Sequence, residues 1–399
     1  MQITGLSQQA QPNVSYTVAS QSPGTVVITL PATLNVGDTV SVTGQSANAW
    51  RIAQNAGQSV ATTNLAGNVT PGTTWTPRGT ANEWWWATSS SDGTRLAAVA
   101  NYGAIFTSND SGATWTSHEN MRGWSCISMS ADGSTIAATA YGEGVFVSRD
   151  GGTTWTQFAS TENWVGVTVS ADGRRMAAVG RFGRIYLSTD SGQTWTQTET
   201  QRDWRAVASS ADGTKLTAVV YDGQIYTSTD SGATWTPRAS TQSWYRVASS
   251  SDGNRLVAVS RWGYVWTSSD AGATWTQHFR AADYNALVSS SDGNTIAVAV
   301  PSDGQYETAG QIYVSRDGGA NWNAYQQNRL WRGLGMSADG SRLVAAENHG
   351  LIYTSAGDRT TVGMAGDIVG GQGDYLQLQY LGNGKFKVLN SSGPAYTID

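Results

Sequence analysis

The chain has 399 residues, a formal net charge of −5 and only 13% charged residues, with 46 Gly and 18 Trp. This balance gives no support to nucleic-acid binding, and it favours β-structure with many tight turns over helices. One cysteine, Cys126, and three scattered histidines exclude an internal disulfide and a Cys-rich metal site, and show no ligand spacing. No cofactor or metal is expected, and no stretch is apolar enough to insert in a membrane.

Read from the start, residues 1–18 lack the basic and apolar regions of a secretory signal. The expected location is a virion or extracellular surface reached without a recognisable signal, or the cytoplasm. Next, "GTVVITLPATLNVGDTVSVTG", 24–44, alternates apolar and polar residues, and its Gly37–Asp38 reads as a hairpin turn. "TTWTPRG", 73–79, reads as an isolated strand. From Trp84 a repeat takes over. Cys126 falls in one of its apolar strands and reads as an inert core thiol. After the repeat, "GDYLQLQYLGNGKFKVLN", 373–390, alternates again around an Asn-Gly turn.

The repeat carries three series in step. "SNDSGATWT", 108–116, returns five times with aspartates Asp110, Asp150, Asp190, Asp230, Asp270 and Asp317. A second turn, "SSDG" or "SADG", recurs from Asp92 to Asp339. The third series is aromatic: Trp84, Trp124, Trp164, Trp204, Trp244, Tyr284 and Trp331. Motif tryptophans are 40 residues apart from Trp75 to Trp275, and the last spacing is 47 because of an insertion in 301–310.

One unit, "WRAVASSADGTKLTAVVYDGQIYTSTDSGATWTPR", parses as four short strands bounded by Gly, Asp or Ser. Four strands per ~40 residues, repeated, is a propeller blade. First strands occur seven times, but the seventh unit ends near 355 without a fourth strand. The spare strand at Trp75 supplies it. The expectation is an all-β chain: a seven-bladed propeller over 73–357, closed by an N-terminal strand. It is inserted in a small β-rich domain built from 1–70 and 358–399.

"SxDxGxTW" resembles the Asp-box, or BNR, motif of sialidases and other propellers. It matches six units closely, with a weaker match at 68–75 and a decayed one at 355–362. The "GxIYTSxDGGxTW" style is similar to photosystem II assembly-factor propellers. Leu30 to Val60 and Phe386 to Gly393 resemble a module of bacteriophage tail-fibre proteins, split here around the propeller. These resemblances imply carbohydrate or receptor binding in a virion protein, and the fibre type implies a homo-oligomer.

A sialidase centre would break repeat symmetry with an arginine triad and a Tyr–Glu pair. Here Arg181 and Arg261 occupy equivalent positions, as do Arg205 and Arg332. Candidate carboxylates Glu83, Glu119, Glu162 and Asp203 also lie in equivalent loops. The chain therefore reads as a non-enzyme. The recurring aspartate reads as structural: its carboxylate accepts turn N–H groups, the glycine takes φ > 0 and the tryptophan packs.

Constant turns fall on one face of the ring and variable ones on the other, which marks the variable face for recognition. It collects Tyr102, Tyr141, Phe182, Tyr221, Trp262 and Tyr264, with Arg122, Arg181, Arg205, Arg246, Arg261, Arg280, Arg329 and Arg332. "WWW" at 84–86 and "WYR" at 244–246 break the repeat, adding Trp85 and Tyr245. The aromatic series from Trp84 to Trp331 either wedges blades together or lines a ligand site in the central channel. The leading expectation is a recognition or adhesion protein that binds a surface glycan or protein receptor. A structural virion or scaffold subunit and a sialidase-like hydrolase are the alternatives.

Overall fold

A computed structural model describes residues 1–62, 75–159, 162–300, 310–325, 329–355, 367–393 and 396–398. The insertion at 301–309 and most of the weak turns at 68–75 and 355–362 lie outside the described residues. All regular structure described is β-strand. The chain divides into two compact units, Met1–Pro71 with Ala356–Asp399, and Gly72–Ser355.

In the first unit the chain alternates between two sheets. Val14–Val18 pairs in parallel with Thr39–Gly44 in one sheet, and Val26–Thr29 pairs in parallel with Trp50–Ala53 in the other. The later strands Tyr375–Gly382 and Asp367–Gly370 extend the two sheets antiparallel. Alternating apolar residues meet in one core that contains Tyr16, Ile28, Val42, Trp50, Ile52 and Phe386. This corrects the hairpin expected at Gly37–Asp38. The strands flanking it belong to different sheets, because each buries its apolar face best against the opposite sheet. The Asn383–Gly384 turn does join a hairpin, with Gly382 opposite Lys385.

In the second unit the described ladders form seven four-stranded blades. The blade at 204–242 shows the plan: 204–209 pairs with 216–220, that strand with 225–228, and 223–227 with 236–242, all antiparallel. Strand Leu96–Ser108 turns at Tyr102, so its halves serve as second and third strands. Strand Thr76–Ser89 serves two blades. Its start pairs with the seventh blade, Thr76 opposite Thr354 and Arg78 opposite Ile352, and its end opens the first.

The ring is also closed at its constant face by backbone alone. Ser91 N–H donates to Ala131 O at 2.8 Å, and the same bond runs through Ala171, Ala211, Ser251, Ser291 and Ala338. Ala338 N–H then donates to Ser91 O at 2.8 Å. The serine before each acidic turn braces it. Ser130 Oγ donates to Asp132 Oδ1 at 2.6 Å, and Thr135 N–H donates to Ser130 Oγ at 3.0 Å. Gly133 takes φ 68° in this turn, and a Cβ there would meet Arg95 of the preceding blade at 2.9 Å.

Between blades sit the wedge rings. Trp124 packs among Ala97, Val99 and Ile105 of its predecessor and Ile136 and Phe146 of its own blade. Trp204 packs the same way between Val179 and Leu216. Each tryptophan of the series meets an aromatic of its own third strand edge-on, as Trp164 meets Tyr186 at 4.9 Å. Trp75 joins the seventh blade's core, 6.1 Å from Trp331. Trp75→Ala therefore removes a ring at the closure and should cost about 3–5 kcal/mol. Urea denaturation measures this, and an unchanged midpoint would show that residues 75–78 do not hold the ring shut.

Candidate functional site

The recurring "SxDxGxTW" turn is a self-contained hydrogen-bond knot. In its first copy Ser108 Oγ donates to Asp110 Oδ1 at 2.7 Å, and Gly112 N–H donates to Ser108 Oγ at 2.9 Å. Thr114 donates its N–H and its hydroxyl to Asp110, and Trp115 Nε1–H donates to Gly112 O at 3.0 Å. Asp150, Asp190, Asp230, Asp270 and Asp317 repeat the pattern. Hydroxyl bonds from Thr154, Thr234 and Thr274, then N–H bonds from the same residues, hold the Asp150, Asp230 and Asp270 carboxyls at about 2. Among the described residues no cluster of His, Cys, Asp and Glu could hold a metal ion.

The opposite face departs from regularity in two ways. First, the ladder slips by one residue after the wedge ring in six blades, at Trp84/Trp86, Trp124/Cys126, Trp164/Gly166, Trp204/Ala206, Trp244/Arg246 and Trp331/Gly333. A bulge of this kind leaves one residue unpaired and re-aims it. The residues so released are Trp85, Ser125, Val165, Arg205, Tyr245 and Arg332. Second, the hairpin tips carry bulky residues at positive φ: Tyr102 at 50°, Phe182 at 56° and Trp262 at 57°. Their rings are 70%, 63% and 44% exposed. A left-handed conformation costs a side-chain-bearing residue about 1–2 kcal/mol, and Tyr102 and Phe182 gain little burial in return.

A cavity of ≈ 350 Å³ opens among these residues, walled by Trp85, Tyr102, Tyr141, Arg181, Arg205, Tyr245 and Arg246, with Ser125, Val165 and Glu143. A second cavity of ≈ 230 Å³ follows the channel; first-strand residues of all seven blades, Trp86, Cys126 and Arg246 among them, line it. Trp86 and Arg246 hold a position that is Cys, Gly or Ala in the other blades. The Arg246 guanidinium lies 4.6 Å from the Trp86 ring and 4.1 Å from that of Tyr245. Arg205 covers Tyr221 at 4.4 Å and donates to Asp203 at 2.7 Å, while Arg332 covers Trp85 at 5.0 Å.

The sequence candidates therefore divide. Trp85, Tyr102, Tyr141, Arg181, Arg205, Tyr245 and Arg246 come together. Arg122 is engaged by Glu143, Arg261 by Asp283 and Arg329 by Glu347; Phe182, Tyr221, Arg261 and Arg332 lie against lining residues, and none of these, nor Trp262 or Tyr264, is part of the lining. The wedge series lies packed between blades. Trp84, Trp124, Trp164, Trp204, Trp244, Tyr284 and Trp331 are at most 2% exposed, since packing between blades buries more of each ring than the channel could. Trp124 alone of them borders the cavity. Ser125 and Val165 were not singled out. Their signal was the residue after each wedge ring, which varies as Trp, Ser, Val, Arg, Tyr, Asn and Arg beside constant neighbours.

Fold and site define a closed all-β propeller with one regular and one irregular face. Neither a family model nor a curated protein sequence matches the chain. Among solved structures it is similar to YCF48 from Cyanidioschyzon merolae, at 14% identity and a TM-score of 0.56, over 71% of this chain and 98% of that one. It is similar to YCF48 bound to D1 peptide, at 16% and 0.56, over 74% and 99%. The Cps50 (Swd1) β-propeller domain of Myceliophteria thermophila matches at 12% and 0.56, over 71% and 99%. At such identities the likeness shows the fold.

Two predictions follow from the two faces. The Asp150, Asp190, Asp230, Asp270 and Asp317 carboxyls titrate at about 2 when folded, against about 3.9 unfolded. A depressed folded pKa stabilises above the unfolded value and is lost as pH falls through the folded one. Melting temperature should thus hold down to about pH 4 and drop between about pH 4 and 2; a flat profile there would show that the turns do not hold ionised carboxylates. At the other face, Tyr102→Gly and Phe182→Gly should each stabilise by about 1 kcal/mol in urea denaturation. A loss of stability would mean that the rings serve the fold.

Proposed function

We propose that this chain is a non-enzymatic recognition protein that binds a partner through the irregular face of its propeller. The observation that carries this reading is the ≈ 350 Å³ cavity, to which five blades contribute variable-face residues and whose wall includes Trp85, Tyr245 and Arg246 from the two segments that break the repeat. Strained, exposed aromatic tips around it support the same reading, because strain without a packing return gathers at functional sites. Aromatic and arginine side chains are the types that dominate binding energy. The carboxylate in the wall, Glu143, is held by Arg122, which suits a fixed acceptor better than a shuttling acid.

The partner is a surface glycan or a protein receptor, and the flanking unit's resemblance to tail-fibre modules favours a virion fibre, where the protein acts at an exterior surface. The turn knots fit the Asp-box class. A structural role among virion or scaffold subunits is the second reading. A propeller of similar fold has been solved as YCF48 bound to D1 peptide, which supports testing polypeptide partners beside glycans.

Glycan and peptide arrays probed with the whole chain test this. At least one ligand should bind, and Tyr141→Ala with Arg181→Ala should weaken it about tenfold or more. Binding untouched by both changes would move the site elsewhere. Turnover of a fluorogenic sialoside, abolished by a single Arg or Glu change on this face, would replace the reading with a hydrolase.

A further inference from the structure

Charge around the inner wall of the cavity is out of balance. Arg181 and Arg205 share one carboxylate, Asp203, at 3.3 and 2.7 Å. Arg261 has Asp283 at 3.5 Å. Arg246 and Arg332 have no carboxylate within ion-pair distance among the described residues. Arg246 donates only to carbonyl oxygens, of Asn285 at 3.0 Å and of Arg205 and Tyr245 at 3.4 Å. The Nε–H of Arg332 is buried without a hydrogen-bond partner. Among the described residues, three of these five guanidinium groups have Asp203 or Asp283 as ion-pair partner and two have none.

Burial of unpaired charge is unfavourable unless something compensates it. The neighbourhood registers this cost. Partial burial holds the Arg332 guanidinium below its usual pKa, against the pull of Tyr245 and Asp283. Arg246 draws the Tyr245 hydroxyl below its ordinary range, helped by Arg261 and Arg332 and opposed by burial. Both unpaired guanidinium groups are held by aromatic faces, Arg332 on Trp85 and Arg246 between Tyr245 and Trp86. Stacking covers the flat faces of a guanidinium, and the N–H groups still open to a ligand are those of Arg246 Nη2 and of the Arg332 Nη atoms, which have no hydrogen-bond partner among the described residues. Such N–H groups match an oxyanion in two-point geometry.

We propose that Arg246 and Arg332, with the Tyr245 hydroxyl, form a site for an oxyanion carried by the ligand, a carboxylate or a sulfate. The aromatic rings Trp85 and Tyr245 flank the group that bears it. This rests on the reading of the irregular face as a binding face, and it names the chemistry that the face selects. The site is built from the two segments, 84–86 and 244–246, that depart furthest from the repeat, together with the bulge residue of the seventh blade.

The test is calorimetric titration of the whole chain with matched pairs. Methyl glucuronide against methyl glucoside presents an acidic sugar; N-acetylphenylalanine against its amide presents a chain-terminal carboxylate. Inorganic sulfate is titrated alone. At least one acid should bind about tenfold more tightly than its neutral partner, because a site with buried donors rejects a ligand that leaves them unpaired. Sulfate should compete with it. Arg332→Gln should abolish the preference and Arg332→Lys should restore part of it, with a cooperative melt kept in both, since Arg332 makes no hydrogen bond among the described residues. Arg246→Gln should act alike; if it fails to fold, Arg332→Gln decides. Whichever pair shows the preference identifies the source of the anion. Equal binding of acid and neutral probe overturns the oxyanion site while leaving recognition by the face intact. Absence of binding by both acids and by sulfate overturns it too, as does a preference that survives Arg332→Gln.

Discussion

A circle of seven backbone hydrogen bonds, from Ser91 through Ala131 and onward to Ala338 and back, sets the geometry of the propeller. Each turn donates one N–H to the next blade and accepts one from the blade before. Opening the circle or adding a blade leaves donors and acceptors without partners, which buried backbone does not tolerate. The turn sequence is constant for that reason. Its serine and aspartate hold the shape, its glycine admits the preceding blade's side chain, and none of these can vary independently in one copy.

That constraint acts on one face only. At the other end of the blades the described residues form no such circle of bonds, so the tips and the residue after each wedge ring are free to differ. The energetics allow it. A buried wedge tryptophan is worth about 3–5 kcal/mol, while a strained tip costs about 1–2 kcal/mol. The regular face and the wedges thus stabilise a scaffold on which the irregular face can hold strained aromatics and unpaired guanidinium groups together.

Much of the fold was legible in the sequence because the propeller repeats. A period of 40 residues exposes the four strands, the wedge rings and the turns at once, and the missing fourth strand after Thr354 pointed to Trp75 as its replacement. The first unit was harder. Its strands at 26–29 and 39–44 alternate like a hairpin, and nothing local tells a parallel partner in a second sheet from an antiparallel neighbour. Within the site, Trp85 and Tyr245 stood out because they interrupt the repeat. Ser125 and Val165 did not, because a bulge is a property of pairing between strands and leaves no residue type behind.

The sequence alone determined the class, the closure and the side of the ring on which variation collects, since these follow from periodicity and from which turns are constant. It left open whether Trp84 and its counterparts pack or bind, and it could not show which arginines lack a carboxylate. Tertiary structure shows the rings buried between blades and supplies the charge pairs among the described residues. Burial between blades and the pairing of charges depend on contacts between residues far apart in the chain, as Trp84 and Asn348 are, at 264 positions.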